Sequence, residues 1–514
     1  MLVKQMTRVC FFLSSIGFCF KILVYNPKFA YSHAKYLGSI ADTLAEAGHD
    51  VTVLAPDIDL TIKYKGADKA KVITYPADPY AASFVTNNTQ IDKMWDRGYA
   101  GIDQIDFLDA LIESFYQQGL KVLHDEELRE RIKSEKFDFG ISEAFGAFSL
   151  GFFKTWGIQK YASVSTFCLL SLHYPVFGLS FQSSYLPVSM GWYEKEITLH
   201  DRMVNVLTNV GNIIHGQSKW EKYYMQKEFD KKYGVGYYDS KTLISDSAFY
   251  FINSNPFVDF PGPRMSKMIE IGGLTISEPK KLDKYWDGVL SKNKVNILIS
   301  FGTFAQTNKM PKAKKMGLVN AIKMLSNYTF IWKYETPEDG EIEGVDNLIL
   351  TEWMPQNDLL GDDRVSLIIT HGGISTIMEL ATRGVPAISI PVFGDTIRNS
   401  RIVERHDIGL VMLKNKLEEP KVIVETIEKI LNDKKYKENV VLLSKILNKR
   451  PFKPKELLVK NVELACEFGN LPMLNLRGRD MGIIEFYNID VHLIIWTIIL
   501  TGLYLNYTLL ARIL

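Results

Sequence analysis

The chain has 514 residues, of which 46% are hydrophobic and 23% are charged. This composition excludes a disordered or low-complexity protein, and the length predicts about two or three domains. With 60 basic and 59 acidic side chains, the formal net charge is +1, which gives no electrostatic footprint for binding nucleic acid. Of the four cysteines, Cys168 and Cys466 lie outside the N-terminal apolar segment. Their separation predicts neither a disulfide framework nor a zinc site, so we expect both to be buried small apolar side chains.

The N-terminus has the layout of a secretory signal peptide. Lys4 and Arg8 precede an almost wholly apolar run at residues 9–20, with small residues near a predicted cleavage point at Cys19. A buried strand or helix is the alternative, but the basic flank and the short apolar run favour export. We therefore predict that residues 1–19 are a signal peptide.

A second apolar run, from Ile489 to Leu510, is long enough to cross a bilayer as one helix. Its ionisable residues lie at its start, and residues 511–514 are predicted to form a short cytosolic tail. A signal peptide followed by a single C-terminal span places the bulk of the chain in a lumen or outside the cell. Glycosylation sequons at Asn87 and Asn327 are compatible with that side of the membrane.

Between these ends, short β-rich runs alternate with amphipathic stretches, which is typical of α/β domains with parallel sheets. In the first half we predict a helix at Ala34–Ala47 and strands at Lys21–Tyr25, His49–Ala55, Phe137–Ile141 and Tyr161–Val164. Residues 57–100 are predicted to be irregular, and residues 103–133 form a long amphipathic stretch. Residues 168–245 are rich in aromatic side chains and predict helices and loops around an apolar cleft.

A Pro/Gly-rich point at residues 260–263 is the best candidate for an interdomain linker. A second α/β series follows it, with strands predicted at Asn296–Ser300, Thr329–Lys333, Asn347–Leu350, Ser366–Thr370 and Ala387–Ile390. We therefore predict two doubly wound, Rossmann-like domains, residues 20–264 and 265–450, followed by a helical segment at residues 451–488. The ligand site of such a pair is expected in the cleft between the domains, at the C-terminal ends of the strands.

The most informative motif is His371-Gly372-Gly373, which follows an apolar strand and directly precedes a helix-forming run. Glycines allow a ligand to approach the backbone, and the free N–H groups of a helix N-terminus attract an anion such as a diphosphate. His371 adds a donor for a phosphate oxygen, and Glu379, further along the helix, can accept both hydroxyls of a ribose. A Gly-rich turn that binds nothing is the alternative for this motif taken alone.

Three other predicted strand ends carry complementary groups. Trp353 can stack on a base, and Gln356 presents both a donor and an acceptor to the edge of a base. Ser300 and Thr303 offer hydroxyl groups near a phosphate, and Asp395 can accept hydrogen bonds from sugar hydroxyls. Together with the glycine motif, these groups predict a nucleotide-sugar site.

The runs 353–360, 371–379 and 391–399 resemble the signature of the animal UDP-glycosyltransferases, which include the UDP-glucuronosyltransferases. The similarity extends over nearly the whole chain. It implies the two-domain GT-B arrangement, with a UDP-sugar bound by the second domain as a co-substrate and with no cofactor or metal. The donor contacts implied by the resemblance are Ser300, Thr303, Trp353, Gln356, His371, Gly372, Gly373, Ser375, Glu379, Asp395 and Thr396.

Two positions depart from the commonest family pattern. Ser375 stands where many relatives have Asn, and Thr396 stands where an Asp-Gln pair normally completes the sugar contacts, so that Asp395 alone remains of that pair. Losing an amide at this point is expected to weaken or redirect donor choice. Asn253 stands near the place where relatives selective for glucuronate often carry Arg. We therefore hypothesise that UDP-glucose is used at least as well as UDP-glucuronate.

The first domain supplies the candidate base. His33 is predicted to lie in the loop after the first strand, facing the cleft, where an imidazole can abstract a proton near neutral pH. A histidine in such a place is often structural, but by the resemblance the family's catalytic histidine occupies this loop. Glu143, at the end of another strand, can fix its tautomer, although relatives often carry the shorter Asp there. Asp138 is the competing carboxylate, at the start of that strand.

The resemblance implies inverting transfer of glucuronic acid or glucose to a hydroxyl of a small lipophilic acceptor, with His33 as general base. It also implies a single-pass protein of the endoplasmic reticulum membrane with lumenal catalytic domains, and a homo-oligomer is compatible with it. A metal-dependent transferase is a rival interpretation, since Asp57-Ile58-Asp59 has the letters of an Asp-x-Asp motif. The departures at Ser375 and Thr396 also motivate a catalytically silent binding protein, and a membrane receptor is a third class.

Overall fold

A computed structural model describes residues 19–86, 93–99, 101–189, 191 and 198–513. Almost all of the predicted signal peptide and the sequon at Asn87 lie outside these described residues. The described chain contains two parallel sheets, each covered by helices, and each sheet forms the centre of one Rossmann-like unit.

The first sheet has seven parallel strands in the order β3-β2-β1-β4-β5-β6-β7. Its central strands are continuous apolar runs because helices cover both faces. The strands β1 to β7 are Lys21–Tyr25, Asp50–Pro56, Lys71–Tyr75, Phe139–Glu143, Tyr161–Ser165, Tyr250–Ile252 and Met268–Glu270.

The second sheet has six parallel strands in the order β10-β9-β8-β11-β12-β13. Both sheets therefore reverse their strand order beside the first strand of each unit, as doubly wound folds do. The strands β8 to β13 are Val295–Ser300, Tyr328–Lys333, Leu348–Thr351, Val365–Thr370, Ala387–Ser389 and Gly409–Val411.

Amphipathic helices cover the two sheets and close the chain. The helices α1 to α19 are Tyr31–Glu46, Pro79–Thr86, Ile105–His124, Glu126–Ser134, Phe148–Thr155, His173–Val176, Leu199–Ser218, Trp220–Tyr224, Gln226–Tyr233, Lys284–Leu290, Lys312–Met324, Gln356–Leu360, Ile374–Arg383, Thr396–Arg405, Pro420–Asn432, Lys434–Lys449, Pro454–Phe468, Ile483–Phe486 and Ile489–Ile513.

Two sequence predictions about the first unit need correction, and a third gains detail. Residues 57–100 are not wholly irregular, since they contain β3 and α2; β3 is an edge strand with exposed positions, so its apolar run is short. The stretch 103–133 forms two helices, because the Asp125 side chain accepts a hydrogen bond from Leu128 N at 2.7 Å and starts α4. The predicted boundary at 264–265 is too early, because β7 pairs with β6 in the first sheet.

The predicted helical segment at 451–488 returns to the first unit. Leu458, Val462 and Cys466 of α17 pack into the same buried cluster as β1 and β2. Lys160 Nζ also donates to the carbonyl oxygen of Cys466 at 2.6 Å. Both Cys466 and Cys168 are buried and unpaired, as the sequence predicted. The second unit is therefore bounded by chain segments that belong to the first.

Among the described residues, α19 is long and apolar enough to cross a membrane, with a mean hydropathy of 1.7 and no buried residue. This agrees with the predicted span from Ile489. The helix continues to Ile513, so most of the predicted tail at 511–514 is helical rather than a separate segment.

Candidate active site

The predicted site residues lie at the points where the two sheets reverse their strand order. In the first sheet, His33 follows β1 and Glu143 is the last residue of β4. These two strands are neighbours. In the second sheet, Ser300 is the last residue of β8 and His371 directly follows β11. These two strands are also neighbours. Ligands of doubly wound folds bind outside the carboxyl ends of strands at such switch points.

His33 and Glu143 are in direct contact. Nδ1 of His33 is 2.9 and 3.0 Å from the two carboxylate oxygens of Glu143, and both side chains are buried. His33 lies in the first turn of α1 rather than in a preceding loop, because α1 begins at Tyr31. Asp138, the competing carboxylate, accepts from Lys21 N at 2.8 Å, at the opposite end of the strands. The longer side chain of Glu143 therefore reaches the imidazole.

Thr166, which sequence analysis did not identify, joins this pair. Its Oγ1 lies 2.7 Å from Nδ1 of His33 and donates a hydrogen bond to a carboxylate oxygen of Glu143. The rings of Phe29 and Phe167 lie with their centroids 4.3 and 4.7 Å from that of His33. With Nδ1–H directed at these acceptors, the Nε2 lone pair of His33 is free, since no described residue hydrogen-bonds it.

The second unit contains the predicted glycine turn. Gly372 has a φ of +86°, and a Cβ there would lie 2.5 Å from Ser400 Oγ. The His371 ring lies between two other glycines, because a Cβ at Gly302 or Gly373 would come within 2.8 Å of it. Burial lowers the pKa of His371 to about 4, so it is a neutral donor at pH 7. The turn is thus tightly packed, with no room for a side chain at any of these three glycines.

Helix α13 begins directly after this turn. Gly373 is its N-cap and provides no side-chain hydrogen bond, so the N–H groups of the first turn are free of a cap. Ser300 is buried at the end of β8, and Thr303 is half-buried with no partner for its hydroxyl among the described residues. These donors and the dipole of α13 suit an anionic ligand.

Trp353 precedes helix α12, and Glu379 lies within helix α13. The Trp353 ring is 55% exposed, and its centroid lies 5.3 Å from that of Tyr31 in the first unit. Gln356 Nε2 donates to Glu379 at 2.5 Å, and burial raises the pKa of the Glu379 carboxyl. Gln356 and Glu379, predicted from the sequence to hold the base and the ribose, therefore contact each other.

Asp395 lies at the N-cap of α14, facing the first unit. Burial raises the pKa of its carboxyl, while Asn399 Nδ2, at 2.6 Å, and the nearby His33 lower it. Thr396 does not extend the sugar-facing surface, because its hydroxyl bonds the backbone of Val392 and Phe393 within its own loop. Asp395 thus stands close to the candidate base, and Thr396 supports the loop that carries it.

A buried amide connects the two halves of the site. Asn253 Nδ2 donates to the carbonyl oxygen of Thr166 at 2.9 Å and approaches Ser375 Oγ, in the first turn of α13, at 3.4 Å. The sequence singled out Asn253 and Ser375 separately, each as a departure from a family pattern. Their contact places both departures at the junction between the candidate base and the phosphate turn.

Further contacts hold the two units together around the cleft. Arg398 of α14 pairs with Asp259 at 2.8 Å, and both groups are almost fully buried. Burial acts to raise the pKa of Asp259, but pairing with Arg398 and hydrogen bonding from Ser254 hold it below its ordinary value. On the other side, Trp95 Nε1 donates to the carbonyl oxygen of Gln306 at 3.0 Å.

The carboxylates of the Asp-x-Asp triplet have partners of their own. Asp57 pairs with Lys28 at 2.5 Å, and Asp59 accepts hydrogen bonds from the backbone and hydroxyl of Thr61 at 2.9 and 2.6 Å. Both carboxylates therefore have protein partners next to the edge of the first sheet. None of the residues predicted to bind the UDP-sugar contacts them.

Two Rossmann-like units that face each other across a cleft are the arrangement of GT-B glycosyltransferases, and the fold assigns the protein to this class. A family model described as UDP-glucoronosyl and UDP-glucosyl transferase matches residues 20–513. The chain belongs to this family, and it is therefore a glycosyltransferase of the class that uses UDP-sugars.

Individual relatives agree with this assignment. The Caenorhabditis elegans protein ugt-56 is 26% identical over 457 residues, which cover 87% of this chain and 85% of that protein. Human UDP-glucuronosyltransferase 1A6 is 24% identical over 487 residues, covering 93% and 88% of the two chains. The solved structure of LpCGTa in complex with UDP has a TM-score of 0.57 at 13% identity, covering 87% and 99%. This last similarity concerns the fold alone.

Proposed function

We propose that the protein transfers glucose or glucuronic acid from a UDP-sugar to a hydroxyl group of a small lipophilic acceptor, with inversion at the anomeric carbon. The observation that carries the proposal is the contact of His33 with Glu143 opposite Asp395 and the open N-terminus of α13. A base on one side of the cleft and an anion-binding turn on the other match the two needs of a direct displacement.

The proposed reaction has one displacement step. Nε2 of His33 removes the proton of the acceptor hydroxyl, and the acceptor oxygen forms a bond to the anomeric carbon as the bond to the UDP oxygen breaks. Glu143 stabilises the imidazolium that results, and solvent later takes its proton. The negative charge that develops on UDP is received by the N–H groups of α13 and by neutral His371.

For the donor, we propose that UDP-glucose is used at least as well as UDP-glucuronate. Asn253 is buried, and its amide is bound to the first unit at Thr166, so it offers no positive charge to a sugar carboxylate. Thr396 uses its hydroxyl within its loop, which leaves Asp395 as the sugar acceptor group there. A carboxylate at this point favours hydroxyl donors and repels a second carboxylate.

For the acceptor, we propose phenols, steroids or similar lipophilic alcohols. The candidate base is lined by aromatic rings: Phe145 stacks 6.0 Å from Phe29 and lies 6.2 Å from Phe167. Such a lining binds apolar surface without specific hydrogen bonds. We also propose that α19 anchors the enzyme in the endoplasmic reticulum membrane with both units in the lumen, where lipophilic acceptors partition from the bilayer.

The test uses the full chain in microsomes with a fluorescent phenol and with both donors in competition. We expect His33→Ala to abolish transfer while UDP binding is retained, and His200→Ala, at a side chain that is 84% exposed, to behave as wild type. Wild-type protein that binds UDP but transfers neither sugar would instead support a silent binding protein. A strong preference for UDP-glucuronate would contradict the donor proposal alone.

A further inference from the structure

The hydroxyl of Thr166 occupies a place in the site that none of the roles above requires. It lies 2.7 Å from Nδ1 of His33, and it also donates to Glu143, whose side chain is 1% exposed. Each of the three groups therefore contacts the other two. A threonine hydroxyl has one hydrogen, which the carboxylate accepts, and it has lone pairs that can accept from Nδ1–H.

We propose that Thr166 is a positioning residue for the base, which holds Glu143 and the imidazole of His33 in the productive orientation and is itself fixed by Asn253 against Ser375 of α13. The proposal rests on the proposed function of His33. It adds a role for two residues that take no part in the bond changes, and it predicts that the base and the phosphate turn are mechanically connected.

The electrostatic argument starts from Glu143. A carboxylate buried to this degree needs donors, and the described residues that donate to it are His33 and Thr166. Hydrogen bonds to an ionised group are shorter and about twice as strong as neutral ones. Without the hydroxyl, the carboxylate would have His33 as its one remaining side-chain donor among the described residues, and the imidazole would lose its second contact at Nδ1.

The geometric argument concerns the far side of Thr166. Its carbonyl oxygen accepts from Asn253 Nδ2 at 2.9 Å, and the same nitrogen lies 3.4 Å from Ser375 Oγ. Ser375 follows the glycine turn in the first turn of α13. A ligand that orders this turn therefore acts, through one buried amide, on the backbone that holds the Thr166 hydroxyl.

Charged groups from two elements face His33. They are Glu143 from β4 and Asp395 from the N-terminus of α14, whereas Phe29 and Phe167 provide its aromatic contacts. A Thr166→Val substitution leaves both carboxylates in place. Because Glu143 would then have one donor fewer and Nδ1 of His33 one contact fewer, the acid limb of the kcat/KM profile should move.

The experiment compares Thr166→Val, Thr166→Ser and wild type in full-length protein, with UDP-glucose or UDP-glucuronate and a phenol. We expect Thr166→Val to lower kcat by about 10- to 100-fold, as for the loss of a hydrogen bond to a charged group, with KM for the donor changed less than about threefold. Thr166→Ser, which keeps the hydroxyl, should restore most of kcat. Thr155→Val is the matched control, since its buried hydroxyl donates to the Phe152 carbonyl oxygen within α5 and contacts none of the site residues.

Two results would overturn the proposal: Thr166→Val with wild-type kcat and an unmoved acid limb, or Thr166→Ser as impaired as Thr166→Val. A second measurement needs no transfer. The rate at which diethylpyrocarbonate modifies His33, followed by mass spectrometry against pH, should differ between Thr166→Val and wild type in the same direction as the acid limb. If wild type transfers no sugar, the proposed function fails, while this modification profile still decides whether Thr166 acts on His33.

Discussion

Gly372→Ala is the substitution that most directly tests the glycine turn. Its φ of +86° lies in the left-handed region, which costs a non-glycine residue roughly 1–2 kcal/mol. A Cβ would also lie 2.5 Å from Ser400 Oγ and 2.7 Å from Ser389 Oγ. These hydroxyls bond each other at 2.7 Å, so neither can move freely, and overpacking of this kind adds about 1–3 kcal/mol. We expect a total loss of about 2–5 kcal/mol in stability.

Gly384→Ala is the matched control at the other end of α13. Its φ of +72° is strained in the same way, but the nearest atom to an added Cβ is 3.5 Å away, so the cost is about 1–2 kcal/mol. Thermal unfolding should separate the variants by roughly 2–12 °C, at about 2–4 °C per kcal/mol for a unit of this size. In calorimetry, Gly372→Ala should weaken UDP binding and Gly384→Ala should not. Equal unfolding temperatures with equal UDP affinities would refute the reasoning.

Other substitutions test separate parts of the site. Trp353→Ala should raise the Kd for UDP by about 5- to 150-fold, which is the contribution of one stacked base. The Kd for pyrophosphate, which has no base, should stay unchanged. Arg398→Met leaves the buried Asp259 carboxylate without its close partner, so unfolding measurements should show a loss of about 3–5 kcal/mol. The lowered pKa of His371, about 4, means that the unfolded chain binds this proton first as pH falls below about 6.5. Stability should therefore decline from there towards pH 4, and less so in His371→Gln.

The buried parallel strands could be predicted from the sequence because each is a short apolar run between breakers. β1, β8 and β11 begin and end within two residues of their predictions, since helices on both faces favour apolar side chains at their central positions. The strands β6, β7 and β13 have three residues each, too few for a periodic pattern. The return of α17 to the first unit depends on contacts more than 300 residues apart in sequence, which no local pattern contains.

The site residues also differ in whether the sequence alone could predict them. His371 could be placed because it directly follows a strand and precedes two glycines, where the chemistry of a residue type is informative. Thr166 lies at the end of β5 with no unusual neighbour, and its role depends on where two other chain segments bring their side chains. The inward orientation of Thr396 was likewise beyond the sequence, because a hydroxyl can satisfy its own loop as readily as a ligand.

The departures at Asn253 and Ser375 are best treated as one change rather than two. They are far apart in sequence, but the amide of one lies 3.4 Å from the hydroxyl of the other. An Arg at position 253 would displace the hydrogen bond to Thr166, whereas an Asn at position 375 would place a second amide in the same buried space. Contacting residues commonly show coupling energies of about 0.5–3 kcal/mol. The ratio of glucose to glucuronate transfer in Asn253→Arg, Ser375→Asn and the double variant should therefore be non-additive. Additive effects on that ratio would mean that donor choice is set elsewhere, with Asp395 the first group to test.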